Sequence, residues 1–135
     1  MTGVFLDTSA IFAVLDRDDL NHVSAKQQWL NLVEEEVKMV CTNYILLESF
    51  ALIQNRLGFK ALHVFQEDIL PVIQIVWIDE KVHAAGTSAL FQASKRKLSF
   101  VDCVSFIIMR SLGIRRVFTF DRDFKREGFD CLGVL

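Results

Sequence analysis

Five short apolar runs set the frame for this chain. They fall at residues 3–7, 38–41 (KMVC), 72–78 (VIQIVWI), 116–120 (RVFTF) and 129–134, and helical patterns fill the gaps between them. A strand buried on both faces reads as a continuous apolar run, and strands that alternate with helices pair in parallel. The expected fold is therefore one α/β domain over residues 1–135, a three-layer α/β/α arrangement with a central, mainly parallel sheet. Helices are expected at 22–36, with Val23, Trp29, Leu30 and Val33 on one face, at 43–57, at 59–69, at 80–95 and at 100–112. Thr42 or Asn43, Asp79 and Ser99 are the expected N-caps, and Gly58 and Gly113 the stops. The single proline, Pro71, falls between two elements.

The apolar fraction is 52%, with twelve Phe, which is high for a chain with no apolar stretch near the ~20 residues that span a bilayer. No basic-then-apolar leader precedes the first strand. The surplus therefore points to a protein interface, and the Leu- and Phe-rich stretch 43–70 is its expected place. Cys41, Cys103 and Cys131 make no CxxC pair and no zinc spacing, so they read as small core residues of a reducing, cytoplasmic compartment. His22, His63 and His83 are scattered and read as helix-surface residues. Charge is segregated: residues 1–94 hold six Lys/Arg against twelve Asp/Glu, whereas 95–126 hold nine Lys/Arg against three Asp. The net charge of −2 argues against a generally basic nucleic-acid binder, but the second segment leaves room for a local phosphate-binding surface.

Acids stand where buried strands end. "VFLD" closes on Asp7, and "RVFTFD" closes on Asp121. Burying a carboxylate costs several kcal/mol unless it is paired or bound to a cation, and open parallel sheets gather functional groups beyond their strands' carboxyl ends. Glu48 shares a largely apolar helix face with Tyr44, Ile45, Ala51 and Leu52, where a pair with Arg56 is the structural alternative. Asp102 sits in the first turn of its helix in a Ser-x-x-Asp pattern that also suits capping. Together four such carboxylates would repel one another and raise their own pKa values, and a hard divalent cation removes that repulsion. All-oxygen ligation without His or Cys selects Mg²⁺ or Mn²⁺, ions suited to phosphoryl chemistry. Strand alternation puts Asp121 on the side of Thr119 at the strand's end, and leaves Asp123 to the next turn or helix as an N-cap.

"FLDTSAIFAVLD", "LLESFALI", "LSFVDCVSF" and "VFTFDRDF" resemble, in order and over the whole chain, the four acidic motifs of the PIN-domain family, and most of all its VapC-like branch of toxin ribonucleases. The resemblance implies a PIN-like fold related to that of 5′-nucleases, and a Mg²⁺- or Mn²⁺-dependent endoribonuclease acting as a homodimer under a small antitoxin protein. It assigns catalysis and metal binding to Asp7, Glu48, Asp102 and Asp121, with Asp123 as a fifth or replacement ligand. Thr8, Ser9 and Thr119 match the auxiliary polar positions. Two other roles stay open: a non-catalytic PIN-like interaction module, and a nuclease of RNA maturation. A phosphatase of the haloacid-dehalogenase type would need a second Asp where Ser9 stands. A receiver domain would need an acidic pair and a late Lys after a strand, and a dinucleotide-binding fold would need GxGxxG.

Overall fold

The computed structural model describes residues 3–133. Five strands, β1 (Val4–Leu6), β2 (Met39–Thr42), β3 (Ile73–Val76), β4 (Arg116–Phe118) and β5 (Asp130–Leu132), form one sheet in the order β3-β2-β1-β4-β5, and all four pairings are parallel. The helices are α1 (Thr8–Leu15), α2 (His22–Glu34), α3 (Asn43–Arg56), α4 (Phe59–Val64), α5 (Glu80–Gln92), α6 (Phe100–Leu112) and α7 (Asp123–Arg126). Parallel crossovers are right-handed, so the direction of travel decides which face each helix covers. From β1 to β3 the chain moves one way and lays α1 to α4 on one face. It then returns past β1 to β4 and β5, which sends α5, α6 and α7 to the other. The helix contacts agree: α1 packs on α2 and α3, and α3 on α4, while α5 packs on α6. Direction reverses between β1 and β4, the switch point where ligands bind in open α/β sheets.

The core is the sheet itself. Val4, Phe5 and Leu6 are fully buried, as are Val40, Val117 and Phe118, which explains why the strands read as unbroken apolar runs. Thr42, Asp79 and Ser99 cap α3, α5 and α6 by accepting the N–H of Ile45, Val82 and Asp102. Gly113 ends α6 in the left-handed conformation, where a Cβ would be strained.

Several boundaries differ from the sequence reading. The last run is a strand only over 130–132, and residue 134 lies outside the described part. The helix expected at 59–69 is regular to Val64, then widens into a π-turn over Phe65–Ile69 that buries both Phe65 and Ile69, and tightens at Pro71. Helix α1 was not anticipated, because Ala10, Ile11, Phe12 and Ala13 are all buried and leave no polar face to set a 3.6-residue period.

The two helices of the second face meet at Gly86, the buried residue of α5. A Cβ there would lie 2.6 Å from Val104 Cγ2 and 3.1 Å from Phe100 Cε1. Val104 is fully buried and β-branched, so it has no free rotamer to yield into. Ala normally gains helix stability over Gly, but overpacking costs about 1–3 kcal/mol and should win here. Gly86→Ala is expected to lower the melting temperature by roughly 5–10 °C. An unchanged or higher value in a thermal melt would show that the interface can open.

Candidate metal and nuclease site

The site starts from the β1–α1 junction, a single residue long. Asp7 occupies the N-cap position of α1, yet its carboxylate makes no cap hydrogen bond. It is turned across the switch point instead. The register pairs Leu6 with Phe118, and the Asp7 N–H donates to the Phe118 carbonyl at 3.0 Å, so Thr119 is the residue opposite Asp7. This corrects the sequence reading on two counts: β4 ends at Phe118 rather than residue 120, and the position equivalent to Asp7 is Thr119, not Asp121.

Ser9 Oγ donates to Asp7 Oδ2 at 2.7 Å, and Thr119 Oγ1 donates to the same oxygen at 2.8 Å. Each hydroxyl in turn accepts a backbone N–H from the loop after β4: Phe120 to Ser9 at 3.0 Å and Asp121 to Thr119 at 2.9 Å. An amide can only donate, and the carboxylate oxygen lies nearer to each hydroxyl than the 3.2 Å that separates the two hydroxyls, so both protons point to Asp7. The pair thus fixes the Asp7 carboxylate and the 120–121 backbone at once, and no hydrogen bond from a described residue reaches Asp7 Oδ1. Thr8, the third polar position, is not part of this network. Its hydroxyl is buried without a hydrogen-bond partner among the described residues.

Asp102, Asp121 and Asp123 each present a carboxylate oxygen within 4.8 Å of the others. Asp102 comes from the first turn of α6, its N–H held by Ser99 Oγ at 3.0 Å. Asp121 Oδ1 accepts the Asp123 N–H at 2.9 Å, a local turn that starts α7. The turn expected of Asp123 is thus made by Asp121, and both carboxylates stand in the cluster. Asp123 is the first residue of α7, and one oxygen of its carboxylate also accepts from Arg126.

Asp7 and Glu48 stand outside this tightest group but within electrostatic reach of it. Burial pushes Asp7 up to about 6 against the opposing hydrogen bonds of Ser9 and Thr119, with further repulsion from Asp121 and Glu48. Burial, then the charges of Asp7 and Asp121, push Asp102 up to about 7. Asp121 is also raised, chiefly by burial. Glu48 is half-buried on α3 and makes no ion pair with Arg56 or any other described residue.

These residues fit a hard divalent ion. Oxygens around one Mg²⁺ at about 2.1 Å stand roughly 3–4.2 Å apart, a spacing compatible with the Asp102–Asp121–Asp123 group. The donors are all carboxylates, and burial together with mutual repulsion raises the proton affinity of Asp102 and Asp121, a penalty on the charged forms that a cation would relieve. With Asp121 carrying both a ligand oxygen and the loop turn, Asp121→Asn should reduce activity at least about tenfold more than Asp123→Asn. Equal losses in single-turnover rates would mean that the two act as a unit.

One supporting contact was not visible in the sequence. Glu127, just after α7, receives hydrogen bonds from Arg96 and, at 2.9 Å, from Arg110 of α6. Burial alone would raise its pKa, but the two arginines outweigh burial and lower it. The clamp ties the Asp121–Asp123 segment to the helix that carries Asp102. Its partners lie 17 and 31 residues away, so no local spacing could have announced it.

The PIN-domain family model matches residues 4–129. The chain is 28% identical over 127 residues to the 23S rRNA-specific endonuclease VapC20 of Mycobacterium tuberculosis, covering 93% of this chain and 95% of that relative. It is 25% identical over 128 residues to a VapC ribonuclease of Aquifex aeolicus, covering 92% and 91%. The crystal structure of M. tuberculosis VapC20, described as a sarcin–ricin loop cleaving toxin, matches with a TM-score of 0.83 and covers 94% of this chain and 96% of that one. FitAcB from Neisseria gonorrhoeae shares the fold at a TM-score of 0.70 and 19% identity, covering 98% and 96%. The family model spans four of the five strands, both helical layers and every acid of the site, and this chain belongs to the PIN-domain family.

Proposed function

We propose that this protein is a divalent-metal-dependent endoribonuclease, the toxin of a toxin–antitoxin pair, which hydrolyses RNA phosphodiester bonds. The observation that carries the reading is the convergence of Asp102, Asp121 and Asp123 at the β1–β4 switch point, beside an Asp7 held in place by two hydroxyls. Asp102, Asp121 and Asp123 would hold the ion together with Asp7, and Glu48 adds a further negative charge within electrostatic reach of Asp7. A bound Mg²⁺ or Mn²⁺ supplies water activation and charge stabilisation at the leaving oxygen. Ser9 and Thr119 keep Asp7 in one rotamer, so its free oxygen is pre-aimed when the cation arrives. By family resemblance the products are a 5′-phosphate and a 3′-hydroxyl.

RNA as substrate is further supported by the names of the similar proteins, a 23S rRNA-specific endonuclease and a VapC ribonuclease. We also propose a homodimer. Leu47 on α3, Phe59 on α4, Trp77 after β3 and Phe91 on α5 are each more than half exposed, an apolar surplus that suits a second copy. Sedimentation at tens of micromolar should give a dimer. The antitoxin would be a small protein encoded beside this one. No helix among the described residues is long and apolar enough to cross a membrane, in keeping with a cytoplasmic role.

The test is cleavage of an RNA panel with Mg²⁺ or Mn²⁺ and with excess EDTA. Metal-dependent endonucleolytic products support the reading. Full activity in EDTA contradicts it, and no cleavage under any metal condition would favour an interaction module.

A further inference from the structure

Four ion pairs occur among the described residues, and one of them reaches the acid cluster: Arg126 Nη1 donates to Asp123 Oδ1 at 3.0 Å. Two features govern where this guanidinium can go. Its backbone is pinned, because the next residue is the clamped Glu127, whose N–H also bonds the Asp123 carbonyl at 3.1 Å. Its head is loose, because the side chain is 70% exposed and Asp123 is its one carboxylate partner among the described residues. An exposed pair of this kind is weak, so little holds the guanidinium where it is. Its basic neighbours Arg122 and Lys125 make no ion pair among the described residues.

A divalent ion entering the Asp102–Asp121–Asp123 group meets this charge on one of its own ligands, and like charges a few ångströms apart repel. The guanidinium displaced from Asp123 is left at the mouth of the site. Its planar fork of donors matches phosphate oxygens, and the incoming strand brings one negative charge per nucleotide. The basic surplus of residues 95–126 thereby acquires one specific member. Resting on the nuclease reading above, the geometry points to Arg126 as a substrate-positioning residue. It holds Asp123 as a place-holder cation in the metal-free protein and transfers to an RNA phosphate once the divalent ion is bound. The same charge opposes the upward shift of Asp121, which agrees with a cation standing over the cluster.

Two titrations on the full chain test this, and neither needs turnover. Calorimetry of Mn²⁺ into metal-free protein should show R126Q binding the ion about twofold to fivefold tighter than wild type, because a competitor has been removed. Fluorescence anisotropy of a single-stranded oligoribonucleotide, with Ca²⁺ as the divalent ion, should show R126Q binding RNA about tenfold weaker. The plot of log affinity against log salt should also be less steep by about 0.7, one phosphate contact. R126K should keep the salt slope and recover part of the affinity. Unchanged or weaker Mn²⁺ binding by R126Q overturns the proposal, since Arg126 would then merely order Asp123. Tighter Mn²⁺ binding with unaltered RNA affinity and slope overturns the transfer to phosphate. Failure of the nuclease reading would appear separately, as wild-type protein that binds both ligands and cleaves no RNA.

Discussion

Asp7→Asn is expected to lower RNA cleavage by about a thousandfold or more while making the metal-free protein more stable. Asn is the informative replacement because its carbonyl oxygen can still accept both hydroxyls, Ser9 at 2.7 Å and Thr119 at 2.8 Å in the native site. The other atom becomes a neutral N–H₂ donor in place of Asp7 Oδ1, within electrostatic reach of Asp121 and Glu48. The network that positions the 120–121 backbone survives, and one like charge disappears from a buried cluster. Raising Asp7 from 3.8 to about 6 corresponds to an ionisation cost of roughly 3 kcal/mol above that pH, and Asn removes the cost. The melting temperature in EDTA at pH 8 should therefore rise by several degrees. Retained cleavage would remove Asp7 from the mechanism, and a lower melting temperature would show that the network needs the carboxylate.

The second large effect is the pH dependence of the metal-free protein. In the unfolded chain Asp7 and Asp102 ionise near 3.8, whereas in the folded protein they do so at about 6 and about 7. Between those values the folded state holds protons that the unfolded chain has released, so folding is progressively disfavoured as pH rises from about 4 to about 7. A tenfold change in proton affinity is worth about 1.4 kcal/mol, so the loss amounts to several kcal/mol against a typical total of 5–15. Thermal melts in EDTA should fall by roughly 10 °C or more between pH 5 and pH 8. Millimolar Mn²⁺ should restore the loss at pH 8 and do little at pH 5, where protons already neutralise the cluster. Asp7→Asn should flatten the profile. A melting temperature that is constant or rises from pH 5 to pH 8 would contradict the raised proton affinities of Asp7 and Asp102.

Much of this architecture is legible in the residues, and the gaps have physical reasons. Strands buried on both faces announce themselves as apolar runs, and the caps at Thr42, Asp79 and Ser99 follow from one local hydrogen bond each. Asp7 is conspicuous because nothing about a buried strand calls for a carboxylate. Helix α1 is hidden, since total burial erases periodicity. The end of β4 is hidden for a different reason. Thr119 and Phe120 have strong strand propensity, and the Thr119 N–H still bonds the Leu132 carbonyl. The N–H of Phe120, however, is taken by the Ser9 hydroxyl from across the switch point, and that of Asp121 by the Thr119 hydroxyl. That tertiary exchange moved the equivalent of Asp7 to Thr119 and gave Asp121 the turn that had been assigned to Asp123. Glu127 and its two arginines, and the place of Arg126 beside the acids, depend on contacts set only by the assembled fold.

A crystal soaked in Mn²⁺ and measured at a wavelength where manganese scatters anomalously locates the ion without reference to activity. The expected result is a peak beyond the carboxyl ends of β1 and β4, with oxygen distances of about 2.1 Å to carboxylates of the Asp102–Asp121–Asp123 group and with Asp7 reaching the ion directly or through a bound water. No peak at millimolar Mn²⁺, or a peak away from these acids, would contradict a metal-dependent nuclease built on this cluster.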